Sequence, residues 1–463
     1  MRNIIVLLIL SVVATTSFAQ ETALTLEECI NYALEHNQEY LNANLETEIS
    51  DYVVKETISD GLPQLNGNLD LTYNIKIQTS FIQDFISPAV YDVLQGEGLL
   101  EPGPTPDPQF FPVQFGTKYA GNANISLNQM VFDGSFFVGL RAARTFAELS
   151  YKDRIRTKID VVEGVSKAYY LAMVNQERQE LILKNYQRLD TLLQETQALY
   201  ENGFAEKIDV NRIQVQFNNI RVQQDNIARS VALSKALLKF QMGMSPKDDL
   251  ELKDTIDELI FQEVPAQVFQ DFDYNRRIEM SYLQTNIELN QLDIKNVKMG
   301  YLPDIDLYGA LGATAGTQSS GELFKPGTNW FDYSAVGVRM QLPIFDGLRK
   351  SHQIQQRKIK ALQLENSREQ LQNSIDVEIQ QSATNYQLAV DNLKAQLENM
   401  DLAEEVYNVA KIKYEEGVGS SIEVTNADAD YKESQTNYYN ALYDALIAKV
   451  ELQKAYGVLI EQN

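Results

Sequence analysis

Apolar and polar positions along this chain recur with two different periods, and each period occurs twice. From Leu24 to about Ser59 the spacing is helical, opened by Thr25 with Glu28 as a capping box and stopped by Gly61-Leu62-Pro63. The period then drops to two. Leu65, Gly67, Leu69, Leu71, Tyr73, Ile75 and Ile77 alternate with Asn66, Asn68, Asp70, Thr72, Asn74, Lys76 and Gln78, which predicts a strand over about 64–79 with one apolar and one polar face. A second strand is expected over about 118–132, where Ala123, Ile125 and Leu127 oppose Asn122, Asn124, Ser126 and Asn128. Its alternation shifts near Gln129-Met130, as at a bulge. The connection between these strands carries Pro102, Pro104, Pro106, Pro108 and Pro112. It reads as an exposed loop with one short helix near Val90.

The second half repeats the scheme. A helix over about 274–299 meets Gly300-Tyr301-Leu302-Pro303, and strands follow at about 304–316 and 333–345 around a loop from Gly316 to Trp330. Each strand pair feeds a long helical pattern through a similar corner, Phe132-Asp133-Gly134 or Phe345-Asp346-Gly347, with the Asp suited to capping. A continuous helix from Gly134 to Asn202 would reach roughly 100 Å at 1.5 Å per residue, so a break or coiled-coil offset is expected within it. The strongest repeat lies where these helices reverse. Tyr200 to Val210 recurs as Tyr414 to Val424 in constant register, and each copy is broken only at a glycine, Gly203 or Gly417. An internal duplication follows: 20–243 as the first repeat, 274–463 as the second, and 244–273 as a linker with a short strand or helix at Leu259-Ile260-Phe261.

Composition narrows the classes. Residues 1–19 read as an export signal, with Arg2, an apolar run from Ile4 to Val13 and the small-residue site Ser17-Phe18-Ala19, so the mature chain is expected to begin at Gln20. No cysteine follows that site, and a lipid anchor is not expected. Beyond the signal no apolar run approaches the roughly 18 residues of a membrane-crossing helix. With 64 acidic against 40 basic residues, nucleic acid is excluded as a partner. The single cysteine, Cys29, reads as a small core residue. His36 and His352 lack a second ligand at metal-binding spacing, and no nucleophile motif or phosphate loop is present. The sequence therefore predicts no catalytic residue, no metal and no cofactor.

Amphipathic strands with long loops at one end suit an outer-membrane barrel, which must close because hydrocarbon cannot satisfy an open sheet edge. Known barrels need at least about eight strands, and this chain offers about four, so several copies are required. Tyr73, Tyr119, Trp330, Phe331 and Tyr333 lie near strand ends, where aromatic girdles belong. Narrow seams such as Ile155, Ile159, Val162 and Val165 let helices pack side by side with another face wet. A soluble sandwich edge, or a periplasmic or surface coiled-coil protein without a channel, is the alternative. The four alternating strands weigh against it.

Taken together, Leu24-Thr25-Leu26-Glu27-Glu28 with Ala33 and Asn37, the corners Leu62-Pro63 and Leu302-Pro303, the two Phe-Asp-Gly corners and the paired glycine tips resemble the TolC-like outer-membrane factors. The resemblance covers essentially the whole mature chain. It implies a mixed α and β membrane protein: a homotrimer whose four strands per chain form an outer-membrane β-barrel in lipid, continued by a long α-helical barrel in the periplasm. It also implies an exit channel for efflux or type I secretion, working with a periplasmic adaptor and an inner-membrane transporter. The adaptor would meet the tips at Gly203, Phe204, Gly417 and Val418. At the periplasmic gate Glu423 aligns with the family's first acidic ring, Asn426 with its second, and Asp428 and Asp430 lie nearby. Tyr414 and Asp209 match two members of the closing lock, whereas Gly419 stands where the family has an arginine. Carboxylates repeated around a narrow axis attract cations, and Asp209 and Glu423 also suit helix N-termini on their own account.

Overall fold

The computed structural model describes residues 23–105, 107, 109–254 and 272–460. The expected export signal and the expected element at Leu259–Phe261 lie outside them. In chain order the first repeat holds α1 (Leu26–His36), α2 (Gln38–Asp60), β1 (Gln64–Tyr73), β2 (Thr79–Gln83), α3 (Ile86–Gly96), β3 (Phe110–Gln114), β4 (Tyr119–Phe132), α4 (Gly134–Glu201) and α5 (Lys207–Met242). The second holds α6 (Ile278–Met299), β5 (Asp304–Thr317), β6 (Phe331–Gln341), α7 (Arg349–Glu415) and α8 (Ser421–Ala455). Two compact units result, and each draws on both repeats: 53–143 with 292–356, and 144–291 with the flanking residues up to 52 and from 357.

The first unit carries a four-stranded antiparallel sheet in the order β1-β4-β5-β6. Its register sorts the strands by face. Leu65 pairs with Leu127 and Leu69 with Ala123; further across, Ile125 pairs with Leu311, Gly309 with Val336 and Leu307 with Val338. One face is therefore predominantly apolar, interrupted by Gln129, Ser334 and Asp332. The other carries Asn68 bonded to Asn124 (3.1 Å), Arg339 over the Tyr308 ring (5.2 Å to its centroid), and Tyr333 donating to Asn122 (3.0 Å). The bulge appears between Met130 and Phe132, close to where the alternation breaks.

Several expectations are corrected in this unit. The first strand stops at Tyr73, short of 79, because Asn74 turns the chain: its N–H donates to the Lys118 carbonyl (2.9 Å) and its side chain to the Thr117 carbonyl (2.9 Å). Tyr73 stacks on Tyr119 across this neck, with centroids 4.9 Å apart. The connection beyond is more ordered than a loop. β2 and β3 form their own antiparallel pair, with α3 between them at the position expected around Val90. Pro112 sits inside β3, tolerated because a two-stranded pair leaves its outer side unpaired. The last strand ends at Gln341, two residues before Pro343, instead of running to 345. Phe331 and Tyr333 pair with Thr314 and Gly312 and so belong to the polar face, not to an apolar girdle. Trp330 does border the apolar face, where a Cβ on Gly121 would stand 2.9 Å from its indole.

The second unit is helical. The expected helix from Leu24 to Ser59 is broken at Asn37, whose side-chain oxygen accepts from the Glu39 and Tyr40 amides (2.9 and 3.1 Å) while its amide donates to Gln241 (2.8 Å). An internal cap thus replaces helix continuity. In contrast, α4 runs unbroken for 68 residues where a break was expected. Its sequence contains no proline, and tertiary packing along its length sustains what propensity alone does not. Two apolar clusters form along the helices. One gathers Cys29, Ala33, Val165, Tyr169, Leu238, Met242, Leu442 and Leu446; the other gathers Leu189, Leu192, Ile213, Ile220, Tyr407, Val424 and Tyr431. Between them α8 carries the polar run Lys432 to Asn437, and an amide-lined cavity of about 590 Å³ opens against Asn185, Asn219, Gln223, Asn226 and Gln435.

Candidate functional site

The two helical reversals share one backbone design. Gly203 and Gly417 take positive φ (79° and 72°). Phe204 N–H donates to the Leu199 carbonyl (2.8 Å) and Val418 N–H to the Lys413 carbonyl (3.0 Å), closing the last turn of each incoming helix. A left-handed residue costs glycine little, which is why the repeat keeps it there. Phe204 and Val418 then project at 81% and 80% exposure. The four residues expected at the tips are thus brought into equivalent, solvent-facing positions.

Their side-chain anchors differ. In the first tip Asp209 accepts from the Glu206 amide (3.1 Å), capping α5. It also accepts the Ser421 hydroxyl from the other hairpin, and Arg212 reaches both Asp209 (3.4 Å) and the Ser421 oxygen (3.1 Å). In the second tip Ser420 caps α8 by accepting from the Glu423 amide (3.3 Å). Asp209 and Tyr414 do not meet as a lock. The Tyr414 hydroxyl has no hydrogen-bond partner among the described residues, and the ring packs against the apolar cluster around Tyr407. Position 419 also lacks room for the family's arginine, since a Cβ there would lie 2.9 Å from the Lys413 Cβ and 3.0 Å from the Tyr414 nitrogen. Arg212 supplies a guanidinium from the opposite hairpin.

Glu423 and Asn426 lie exposed on one face of α8, and Asp430 continues that face one turn on, opposite Glu405, Val409 and Lys413 of α7. Asp428 belongs to another face. It is 2% exposed and bonded to Arg188 of α4 (2.8 Å) and Lys432 (2.5 Å). The Arg188 guanidinium lies over the rings of Tyr407 (4.3 Å) and Tyr431 (5.4 Å). Burial holds the Lys432 ammonium below its ordinary range despite Asp428, and burial likewise raises the Tyr407 hydroxyl. Sequence reasoning missed this bolt between hairpins. Its one local signal was an aspartate within the seam Val424, Ala427 and Tyr431.

An amphipathic sheet of too few strands to close, joined in one chain to glycine-tipped helical hairpins, is an arrangement suited to an outer-membrane channel. The comparisons agree. Residues 275–458 match the family described as outer membrane efflux protein. The outer membrane protein TolC of Vibrio cholerae is 20% identical over 344 residues, 74% of this chain and 78% of that one. Among solved structures, VceC of Vibrio cholerae has a TM-score of 0.66 at 16% identity, covering 93% of this chain and 96% of its own. The open state of MtrE from Neisseria gonorrhoeae gives 0.69 at 17% identity, covering 93% and 88%. The chain thus shares the fold of these outer-membrane channels, and its residues 275–458 resemble the outer membrane efflux proteins in sequence.

Proposed function

We propose that three copies of the chain form the exit duct of a tripartite efflux assembly, receiving substrates from an inner-membrane transporter through a periplasmic adaptor. One observation carries this reading: a sheet with a predominantly apolar face whose outer strands, β1 and β6, each have a single partner among the described residues. In lipid those edges must be paired, and antiparallel order lets β6 of one copy lie beside β1 of the next. Three such sheets make a twelve-stranded barrel. The efflux pump names carried by relatives such as SepC of Pseudomonas putida favour efflux over secretion.

In this reading the adaptor meets the exposed tips at Gly203, Phe204, Gly417 and Val418. The duct opens when the second hairpin, about 380–450, parts from the first. Asp209, Ser421 and Arg212 serve as the clasp that Tyr414 and the absent arginine do not form. Glu423, with Asn426 beside it, faces the lumen as an acidic ring that favours cations. Purified protein should run as a heat-dissociable trimer and conduct ions across planar bilayers. A monomer without conductance would overturn the proposal.

A further inference from the structure

The ordered connection between β1 and β4 has no core of its own. Phe81, Phe85, Val93, Leu99, Phe110 and Phe111 are all at least half exposed, and α3 buries no residue. Yet the segment is built, not loose. Its neck is fixed by the Tyr73–Tyr119 stack and Asn74, and Asp84 accepts from the Ile86 and Ser87 amides (3.0 and 2.9 Å) at the start of α3. Gln95 donates to the Gly103 carbonyl (2.8 Å) and Thr105 to Asp92 (2.8 Å), tying the proline run back to the helix. An ordered apolar surface of this kind marks an interaction site.

Topology selects the occupant. The segment springs from the end of edge strand β1, and the β5–β6 connection lies at the same end of the sheet, because Tyr119 pairs with Thr317 and Thr314 with Phe331. When β6 of one copy pairs with β1 of the next, the β5–β6 connection of the first stands beside this segment of the second. That connection offers Phe324, 67% exposed, with the Trp330 ring tilted against it at a centroid distance of 6.4 Å. Charge points the same way. Residues 74–118 carry Asp84, Asp92, Glu97, Glu101 and Asp107 against Lys76 and Lys118, which disfavours an anionic lipid surface, whereas 318–330 balances Glu322 with Lys325.

We infer that the apolar face of the β2–α3–β3 segment docks on the β5–β6 connection of a neighbouring copy, forming a collar that clamps each subunit seam at the loop end of the barrel. This rests on the trimeric reading above. The test places a photo-crosslinking phenylalanine analogue at Phe81, Val93 or Phe110 in the full-length protein in outer membranes. Irradiation is expected to yield covalent dimers and trimers whose cross-linked peptide contains residues 318–331. A triple F81S/V93S/F110S variant should lower the temperature at which the trimer dissociates in detergent by about 10 °C. If the trimer stands but the analogue captures lipid, its own chain or nothing, the collar is wrong and the trimer survives. An unchanged dissociation temperature in the triple variant overturns it as well. A wild-type monomer would sink the trimeric reading first, and the collar with it.

Discussion

The two hairpin tips are the same turn with different fastenings. Both close on a left-handed glycine, and both expose an apolar residue at about 80%. The first ties Asp209 to its own helix start, to Arg212 and to Ser421 of the second; the second caps its own helix through Ser420 and offers the clasp a hydroxyl but no charge. The second hairpin is held again farther from its tip, where Arg188 meets the buried Asp428. Neither of these anchors is repeated across the duplication. A duplicated backbone has thus been kept for shape, while its copies have diverged in what secures them. Along α8 the second hairpin is joined to the first repeat by Asn185–Gln435, Arg188–Asp428 and Glu163–Lys454.

The largest effect should come from that seam. Arg188→Leu leaves a buried carboxylate with Lys432 alone and should remove about 3 kcal/mol of the attachment between hairpins. If the seam parts on opening, this shifts the closed–open balance by roughly a hundredfold, at 1.4 kcal/mol per decade. Single-channel recordings should show long open dwells, and cells should become sensitive to large antibiotics. Adding Asp428→Leu should restore much of the closed population by removing the stranded charge. A quiet single mutant would mean that the tips alone hold the gate. The next effect belongs to the first tip. Asp209→Ala removes a cap and the clasp together, about 1–2 kcal/mol, and should raise leak conductance less than Arg188→Leu does. The opposite ranking would reverse the comparison.

The legibility of these features follows the range of the interactions that make them. Period-two alternation located all four barrel strands, and the repeat located both tips, because each is written in neighbouring residues. The β2–β3 pair escaped notice since Pro112 reads locally as a breaker and only its partner shows the outer edge to be free. Asn37 hid its break because a cap that reaches Gln241 is not visible in a helical period. Arg188 and Asp428 lie 240 positions apart, and no local pattern joins them. The same limit misplaced Phe331 and Tyr333, whose face is set by their register against Thr314 and Gly312.

A smaller effect is expected at Gly419. Gly419→Ala must push a methyl against Lys413 and Tyr414, which costs about 1 kcal/mol unless the turn shifts. Thermal dissociation of the trimer should change by only a few degrees. An arginine introduced at this position should destabilise the turn instead of reinforcing the clasp, and a tighter gate in Gly419→Arg would show that the second tip can be fastened in the family's way.

Glu423 should contribute least to stability and most to selectivity. Its carboxylate is exposed and makes no ion pair among the described residues, so Glu423→Gln retains the shape and the Ser420 cap, which depends on the backbone amide. Dissociation temperature should therefore be unchanged. In the proposed trimer, however, three such carboxylates around an axis would concentrate cations, and removing them should lower cation preference and weaken block by multivalent cations, measured as reversal potentials in a salt gradient. Asp430 continues the same face and should retain part of the preference, so Glu423→Gln with Asp430→Asn should remove more than either alone. Asp428→Asn, by contrast, should act through opening and leave the reversal potential of the open state nearly unchanged, because that carboxylate is turned inward to Arg188. If Asp428 proved the stronger determinant of selectivity, the assignment of faces on α8, and with it the division between a fastening at the seam and a filter at the tip, would be wrong.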